Sequence, residues 1–147
     1  MKSKPADNIQ DLQFFGEFGG VNPSISDSST YTFLSAKYMS ETFEGNTDGC
    51  YLYSRNSSPS NLYLEETLAA MEKTESANVF SSGMAAITSS ILQICKSDDH
   101  IISSRTIYGG TYAFLKNFTP KFNIKTSFVD TSKPEEIIKA ITSKTKI

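Results

Sequence analysis

The stretch Ser81–Ser90 reads "SSGMAAITSS" and follows the apolar run "ANVF" at residues 77–80. An apolar run, then serines and a glycine, then apolar residues at spacings of three and four indicate a strand, a turn and a helix. The first amide groups of a helix lack partners within it, and the helix dipole adds partial positive charge there. The stretch therefore predicts either a plain serine-capped helix start or a phosphate site.

After residue 60 the sequence alternates between segments typical of helices and of strands. Helices are predicted at 60–74, 83–95, 111–118 and 134–141, and strands at 77–80, 100–104, 124–130 and from 145 onward. Ser60 or Asn61 is the expected cap of the first helix. Such alternation predicts an α/β fold with a parallel sheet and crossover helices. In these sheets ligands bind at the carboxyl ends of the strands, where Ser81–Ser90 would lie.

Residues 1–60 have a different character. They are rich in serine, asparagine, glycine and aspartate, with scattered aromatic residues and little periodicity. So long an irregular stretch is unusual within a compact domain. It is either disordered or an arm that packs on something else, and its aromatic residues argue against simple disorder.

Composition excludes several classes of function. Fourteen basic and 16 acidic residues give a formal net charge of -2, which leaves no electrostatic footprint for nucleic acid or a membrane surface. No apolar run approaches the roughly 18 residues that a membrane span needs. Cys50 and Cys95 lack metal-ligand spacing, so free thiols in a reducing compartment are expected. With no secretory signal at residues 1–13, we expect a cytoplasmic protein.

Two further stretches carry candidate ligand-binding residues. Tyr53 and Arg55 are two residues apart, so in extended chain they would point to one side and bind a phosphate with a phenol and a guanidinium fork. Tyr108 follows a predicted strand and precedes Gly109 and Gly110, where its ring would stack on a flat ligand. The alternatives are surface residues beside a turn for the first pair and a core aromatic for Tyr108.

Together, "YSRNSSPSN" at 53–61, "SSGMAAITS" at 81–89 and "IYGGTYAF" at 107–114 resemble a known family in their order and spacing. They are similar to the amino-terminal part of the pyridoxal-phosphate enzymes of cysteine and methionine metabolism. That family includes cystathionine gamma-synthase, cystathionine gamma-lyase, methionine gamma-lyase and O-acetylhomoserine sulfhydrylase.

The resemblance implies the aspartate-aminotransferase-like α/β fold, fold type I. Residues 1–60 would be an amino-terminal arm that contacts a neighbouring subunit, and residues 61–147 would be the first half of the cofactor-binding large domain. The parent enzymes would be homotetramers, dimers of dimers. Their chemistry would be pyridoxal 5'-phosphate-dependent gamma-elimination or gamma-replacement on sulfur-containing or homoserine-derived amino acids.

The resemblance also implies a cofactor site made of Tyr53, Arg55, Ser82, Gly83, Met84 and Tyr108. The turn at residues 82–84 would bind the phosphate, mainly through the backbone N–H groups of Gly83 and Met84. The pair at 53 and 55 would reach the phosphate of a neighbouring subunit. Tyr108 would stack on the pyridine ring and move protons during elimination.

The chain departs from the family pattern in two places. Ser58 and Ser60 replace the asparagine and threonine that usually flank the proline after the arginine. Gly110 stands where methionine gamma-lyases often have a cysteine, which favours the cystathionine enzymes and the sulfhydrylases.

The family's Schiff-base lysine and the carboxylate for the pyridine nitrogen are expected beyond residue 147. Ser143, Thr145 and Lys146 spell the family's Ser-x-Thr-Lys motif, but they follow a predicted helix and precede any aspartate-bearing core strand. We interpret them as the lead-in to a strand and expect the 147 residues alone to be inactive. The alternative function is a non-catalytic fragment that acts only as an oligomerisation or interaction module.

His100 is the only histidine. It lies at the start of a predicted strand, at the end of the sheet opposite to the ligand-binding end. A structural role near a turn is therefore predicted rather than acid–base catalysis.

Overall fold

The computed structural model describes residues 16–33, 35–45 and 50–147. Residues 1–13, where the sequence predicts no secretory signal, and parts of the predicted arm lie outside the described residues. The chain forms two compact units, Met1–Val79 and Phe80–Ile147. The sequence instead predicts a change near residue 60. The assignment of residues 1–60 as an arm concerns an assembly and stays a prediction.

The first unit contains a short 3-10 turn and two helices among its described residues. The turn is Glu17–Gly19, helix α1 is Ala36–Phe43 and helix α2 is Pro59–Glu72. An isolated antiparallel bridge joins Thr30 to Tyr53. No described helix of the chain is long and apolar enough to cross a membrane.

The cap of α2 corrects the predicted cap at Ser60 or Asn61. Ser58 has extended backbone, and its Oγ accepts a hydrogen bond from the Asn61 N–H at 3.2 Å. Pro59 explains the shift, because proline fits the first helical position and forces extended backbone on the residue before it. The Ser60 Oγ instead accepts a bond from the Ser26 N–H at 2.8 Å.

The predicted strand at 77–80 is wrong for the described structure, where these residues are irregular. The Glu65 carboxylate on α2 accepts a hydrogen bond from the Val79 N–H at 3.0 Å. A side chain therefore binds an amide group that a neighbouring strand would otherwise bind. Apolar composition alone does not make a strand when no described segment pairs with it.

The second unit is a parallel α/β structure, as predicted. Its elements are α3 (Gly83–Ile94), β1 (His100–Ser104), α4 (Gly109–Ala113), a π turn (Phe114–Phe118), a 3-10 turn (Thr119–Phe122), β2 (Lys125–Val129) and α5 (Pro134–Ala140). β1 and β2 pair in parallel, from His100 beside Lys125 to Ser104 beside Val129. Thr145 forms a parallel bridge with His100. The segment from residue 145 onward, predicted as a strand, is therefore paired with β1 through an isolated bridge.

The core of the second unit lies between β1 and the helices. Its buried apolar side chains are Cys95, Ile101, Leu115 and Ile124, with Ile91, Phe114 and Phe128 packed against them. Burial raises the pKa of the Cys95 thiol, so this cysteine behaves as a small apolar residue. The described cysteines carry free thiols.

His100 joins three segments of the sheet. Its side chain is buried, with Nδ1 at 2.8 Å from the Thr145 Oγ1 and Nε2 at 2.9 Å from the Ser127 Oγ. Its backbone N–H donates to the Lys144 carbonyl at 2.8 Å. Its contacts reach across strands rather than within a turn, which supports the structural role.

We expect His100→Asn to lower the free energy of unfolding by about 1–3 kcal/mol, because the shorter side chain cannot reach both hydroxyl groups. If the full-length protein is an enzyme as the resemblance implies, its turnover should change by no more than about threefold, since the predicted ligand site lies at the opposite end of the sheet. Denaturant unfolding and a turnover assay check the two parts. Ser127→Ala, which removes one of the two bonds, is the matched control. A hundredfold loss of turnover would overturn the structural role.

Candidate active site

The amino terminus of α3 offers two backbone donors that no residue described in the second unit accepts from. Ser82 has extended backbone, and its Oγ accepts a hydrogen bond from the Ala85 N–H at 3.1 Å. Its carbonyl accepts from the Ala86 N–H at 3.1 Å. The N–H groups of Gly83 and Met84 have no acceptor among the described residues of the second unit. Because α3 has 12 residues, its dipole adds partial positive charge at these two groups.

Gly83 leaves open space beside the backbone. A Cβ added to this residue would meet no atom within 4 Å, and its backbone is not in the left-handed region. Neither packing nor a turn therefore requires a glycine at this position. Close approach of a ligand to the backbone is a requirement that would explain it.

Tyr108 lies beyond the carboxyl end of β1, at the start of α4. Its side chain is 70% exposed, and its carbonyl accepts a hydrogen bond from the Tyr112 N–H at 2.9 Å. A Cβ added to Gly110 would lie 2.7 Å from the Tyr108 Cε1 and 3.2 Å from the Met84 Sδ. The Tyr108 ring and the Met84 side chain thus both approach Gly110. Because glycine has no side chain, there is room for both of them.

Thr111 is a residue of this site that the sequence analysis missed. Its side chain is 2% exposed, and its Oγ1 donates a hydrogen bond to the Met84 Sδ at 3.7 Å. This contact joins α4 to the first turn of α3. The signal was the threonine three residues after Tyr108 in "YGGTY", which lies about one helical turn further along the same face.

Tyr53 and Arg55 are adjacent in the first unit, although not for the predicted reason. The N–H groups of Asn56 and Ser57 donate to the Tyr53 carbonyl at 2.9 and 3.1 Å, so Arg55 lies in a turn rather than in extended chain. The Arg55 Cζ lies 5.3 Å from the centroid of the Tyr53 ring, which is a cation–π contact. No carboxylate among the described residues forms an ion pair with Arg55.

The first unit also contains a polar cleft and a pair of aromatic rings. A cleft of about 350 Å³ is lined by Ser54 together with Ser26, Asp27, Ser28, Ser29, Ser58 and Asn61. The rings of Tyr31 and Tyr51 lie 5.3 Å apart. Burial, then the nearby Tyr31 and Glu66, raise the pKa of Tyr51, so its phenol stays neutral at physiological pH.

The six predicted site residues therefore form two groups, one in each unit. Tyr53 and Arg55 belong to the first unit, and Ser82, Gly83, Met84 and Tyr108 belong to the second. Each group has exposed polar atoms at an accessible surface. Their roles toward a cofactor stay predictions.

Curated relatives match this chain over most of its length. Methionine gamma-lyase from Arabidopsis thaliana is 42% identical over 142 residues, which cover 93% of this chain and 32% of that protein. Cystathionine gamma-lyase from Bacillus subtilis is 41% identical over 96 residues, which cover 65% of this chain and 25% of that protein. The chain thus spans about a third or less of the length of these curated relatives.

Solved structures match as well. The crystal structure of metB from Corynebacterium glutamicum has a TM-score of 0.83 at 28% identity and covers 98% of this chain, which spans 36% of it. A putative O-acetylhomoserine (thiol)-lyase from Campylobacter jejuni, solved with a pyridoxyl-lysine phosphate, has a TM-score of 0.88 at 23% identity and shares the fold. The model of the Cys/Met metabolism PLP-dependent enzyme family matches residues 8–147. The chain therefore belongs to this family and has its fold type I architecture.

Proposed function

We propose that this chain forms the amino-terminal part of an enzyme that uses pyridoxal 5'-phosphate for gamma-elimination or gamma-replacement on sulfur-containing or homoserine-derived amino acids. One observation carries the proposal: the N–H groups of Gly83 and Met84 have no acceptor among the described residues of the second unit and lie beside open space, and both the Met84 side chain and the exposed Tyr108 ring lie next to Gly110. An anion site next to an aromatic ring suits a phosphorylated flat cofactor.

The residues present fit that cofactor. The N–H groups of Gly83 and Met84 would donate to the phosphate, and the Ser82 hydroxyl would donate as well, since its oxygen already accepts from Ala85. Tyr53 and Arg55 would bind the phosphate of a neighbouring subunit in a homotetramer. Tyr108 would stack on the pyridine ring, and its hydroxyl would move protons. When bound, the cofactor withdraws electrons from the substrate and makes its C–H bonds at the alpha and beta carbons acidic.

Lys146 is not the covalent attachment point in this proposal. Its backbone N–H donates to the His100 carbonyl at 2.9 Å, at the amino end of β1, whereas Tyr108 lies beyond the carboxyl end. We infer that the cofactor-binding lysine and the carboxylate for the pyridine nitrogen belong to other parts of the enzyme. The 147 residues alone would then be inactive. An assay of this segment alone separates the proposal from active use of Lys146.

The sequence and the comparisons point less directly to the substrate class than to the cofactor. Gly110 favours substrates of the cystathionine enzymes and sulfhydrylases, whereas relatives named methionine gamma-lyase and cystathionine gamma-lyase both match the chain. Assays with L-methionine, L-cystathionine and O-acetylhomoserine distinguish these substrates.

A cytoplasmic location agrees with the free thiols of Cys50 and Cys95.

A second candidate is the non-catalytic oligomerisation or interaction module. The exposed apolar side chains Leu64, Leu68 and Met71, all on α2, are the observation that favours it. Such a module would associate with full-length subunits without binding cofactor, so the cofactor titrations below separate the two candidates.

Arg55→Ala in the full-length enzyme should weaken cofactor binding roughly ten- to a hundredfold. The substitution removes a charge-assisted contact worth on the order of 1.5–3 kcal/mol, and each ~1.4 kcal/mol is a factor of ten. Spectroscopic titration with pyridoxal 5'-phosphate measures the change. Lys37→Ala, which removes an exposed cation of α1, is the control. Unchanged affinity of the Arg55 variant would show that Arg55 is only structural.

Tyr108→Phe should leave cofactor affinity nearly unchanged, because the stacking ring remains, and should lower turnover by roughly a hundredfold or more if the hydroxyl moves protons. Titration and steady-state kinetics give the two quantities. Tyr112→Phe is the control, since the Tyr112 ring packs on Phe128 with centroids 4.6 Å apart. Equal turnover of the wild-type and Tyr108 proteins would contradict the proton-transfer role.

Mixing two inactive proteins should restore activity if Arg55 acts across subunits. Arg55→Ala enzyme and an enzyme that lacks the cofactor-binding lysine each carry one defect. In a mixed pair, one of the two shared sites receives both intact residues. Activity after subunits re-equilibrate checks this expectation, with each unmixed variant as the control. Mixtures that stay inactive would exclude the arrangement in trans.

A further inference from the structure

We propose that Arg105, Asp130, Lys133 and Glu136 form an ion-pair network that positions Tyr108, so that Arg105 is a positioning residue for turnover. This inference rests on the proposed function, because it assigns Tyr108 a role in catalysis. It adds residues that neither the motifs nor the phosphate site include.

The network joins the loops that follow the two paired strands. Arg105 comes directly after β1 and Asp130 directly after β2, and parallel pairing places both at the carboxyl edge of the sheet. The Arg105 Nη2 lies 3.6 Å from the Asp130 Oδ2 and 3.5 Å from the Glu136 Oε2. The Lys133 Nζ lies 3.6 and 3.5 Å from carboxylate oxygens of the same two residues. Two cations and two anions therefore balance.

Backbone and hydroxyl bonds connect the same two loops. The Arg105 N–H donates to the Val129 carbonyl at 3.0 Å. The Ser104 Oγ accepts from the Thr106 N–H at 3.2 Å and from the Thr131 Oγ1 at 3.3 Å. A cleft of about 240 Å³ lies between these residues. The end of β1 is thus attached to the end of β2 and to the loop after it through Ser104 and Arg105, and Thr106 is bonded to Ser104.

The carboxylates of the network are ionised at neutral pH. Hydrogen bonds from Ser132, and then the charge of Arg105, lower the pKa of Asp130. The hydrogen bond from the Asp130 N–H, and then the charges of Lys133 and Arg105, lower the pKa of Glu136. Both carboxylates therefore hold their negative charges across the neutral range.

Only Thr106 and Ile107 separate Arg105 from Tyr108. The hydrogen bond from the Tyr112 N–H fixes the Tyr108 backbone on its carboxyl side, at the start of α4. No side-chain hydrogen bond to a described residue of the second unit holds the exposed Tyr108 hydroxyl. Apart from its approach to Gly110 and Met84, the ring position therefore depends on the backbone, which in this proposal the network holds on its amino side.

The network should matter locally rather than for overall stability. The side chains of Arg105, Asp130 and Glu136 are 55%, 33% and 36% exposed. Exposed ion pairs contribute little to the free energy of unfolding. A displacement of a catalytic group by about 1 Å, in contrast, can cost up to a hundredfold in rate.

Hydrogen exchange followed by mass spectrometry tests the proposal on the full-length protein without any assay of activity. Arg105→Gln should make amides of residues 105–112 exchange about three- to tenfold faster, as expected for a loop that opens locally. Exchange in β1, where the Ile102 N–H donates to the Ile147 carbonyl at 2.8 Å, should not change. Arg105→Lys should restore part of the protection.

Lys37→Gln is the matched control, because it breaks an exposed ion pair with Glu41 in the first unit. It should leave exchange at 105–112 unchanged. In kinetic assays, Arg105→Gln should lower kcat about three- to tenfold while cofactor affinity stays within about twofold. Arg105→Lys should recover part of the lost kcat.

Unchanged exchange at 105–112 would overturn the proposal, and so would faster exchange that spreads equally through β1 and α3. Faster local exchange with unchanged kcat would also overturn it. If Tyr108→Phe itself leaves turnover unchanged, the proton-transfer role of Tyr108 in the proposed function fails. The exchange result then decides alone whether the network positions the loop.

Discussion

The parallel pairing of β1 with β2 is the constraint on which the second unit depends. Parallel strands cannot be joined by a tight turn, so the chain between them must cross over the sheet. Here α4 and the two turns after it make that crossover, and they bury Leu115 against Ile101 and Ile124. Pairing in this direction also sets one end of the sheet apart from the other. Arg105 and Asp130 meet at the carboxyl edge, while His100 lies at the amino end.

The sequence predicts most elements of the second unit because their signals are local. Apolar spacing marks α3 and β1, and the proline followed by two acidic residues marks the start of α5. The irregular segment at 77–80 has a strand-like composition. Whether such a segment forms a strand depends on whether the backbone of another segment pairs with it. The Glu65 side chain, 14 residues earlier, binds the Val79 amide, and no local pattern announces that contact.

The candidate site divides in the same way. Ser82 as the cap of α3 follows from a motif that is contiguous in sequence, as does Tyr108 beyond the end of β1, although the helix after Tyr108 begins at Gly109 rather than at the predicted residue 111. The contact of Thr111 with Met84 joins residues 27 positions apart, and it exists only because α4 packs on α3. Arg55 approaches Tyr53 because the chain turns there. The prediction of extended chain for this stretch does not include that turn. Sequence motifs therefore identify the residues that would bind or react, whereas tertiary packing determines which contacts hold those residues in place.

The bridge between His100 and Thr145 has a consequence for how the chain folds. It joins residues 45 positions apart, whereas β1 pairs with β2 over five residues that are 25 positions apart. Closing the longer loop costs less than about 0.6 kcal/mol more in chain entropy. Loop length alone therefore hardly determines which of the two pairings forms first. The number of paired residues favours β2, because β2 pairs five residues with β1, whereas residues 144–147 contribute one bridge and three backbone hydrogen bonds to β1. During synthesis residues 100–129 also leave the ribosome first. We therefore expect the β1–β2 pair to form before residues 144–147 join the sheet.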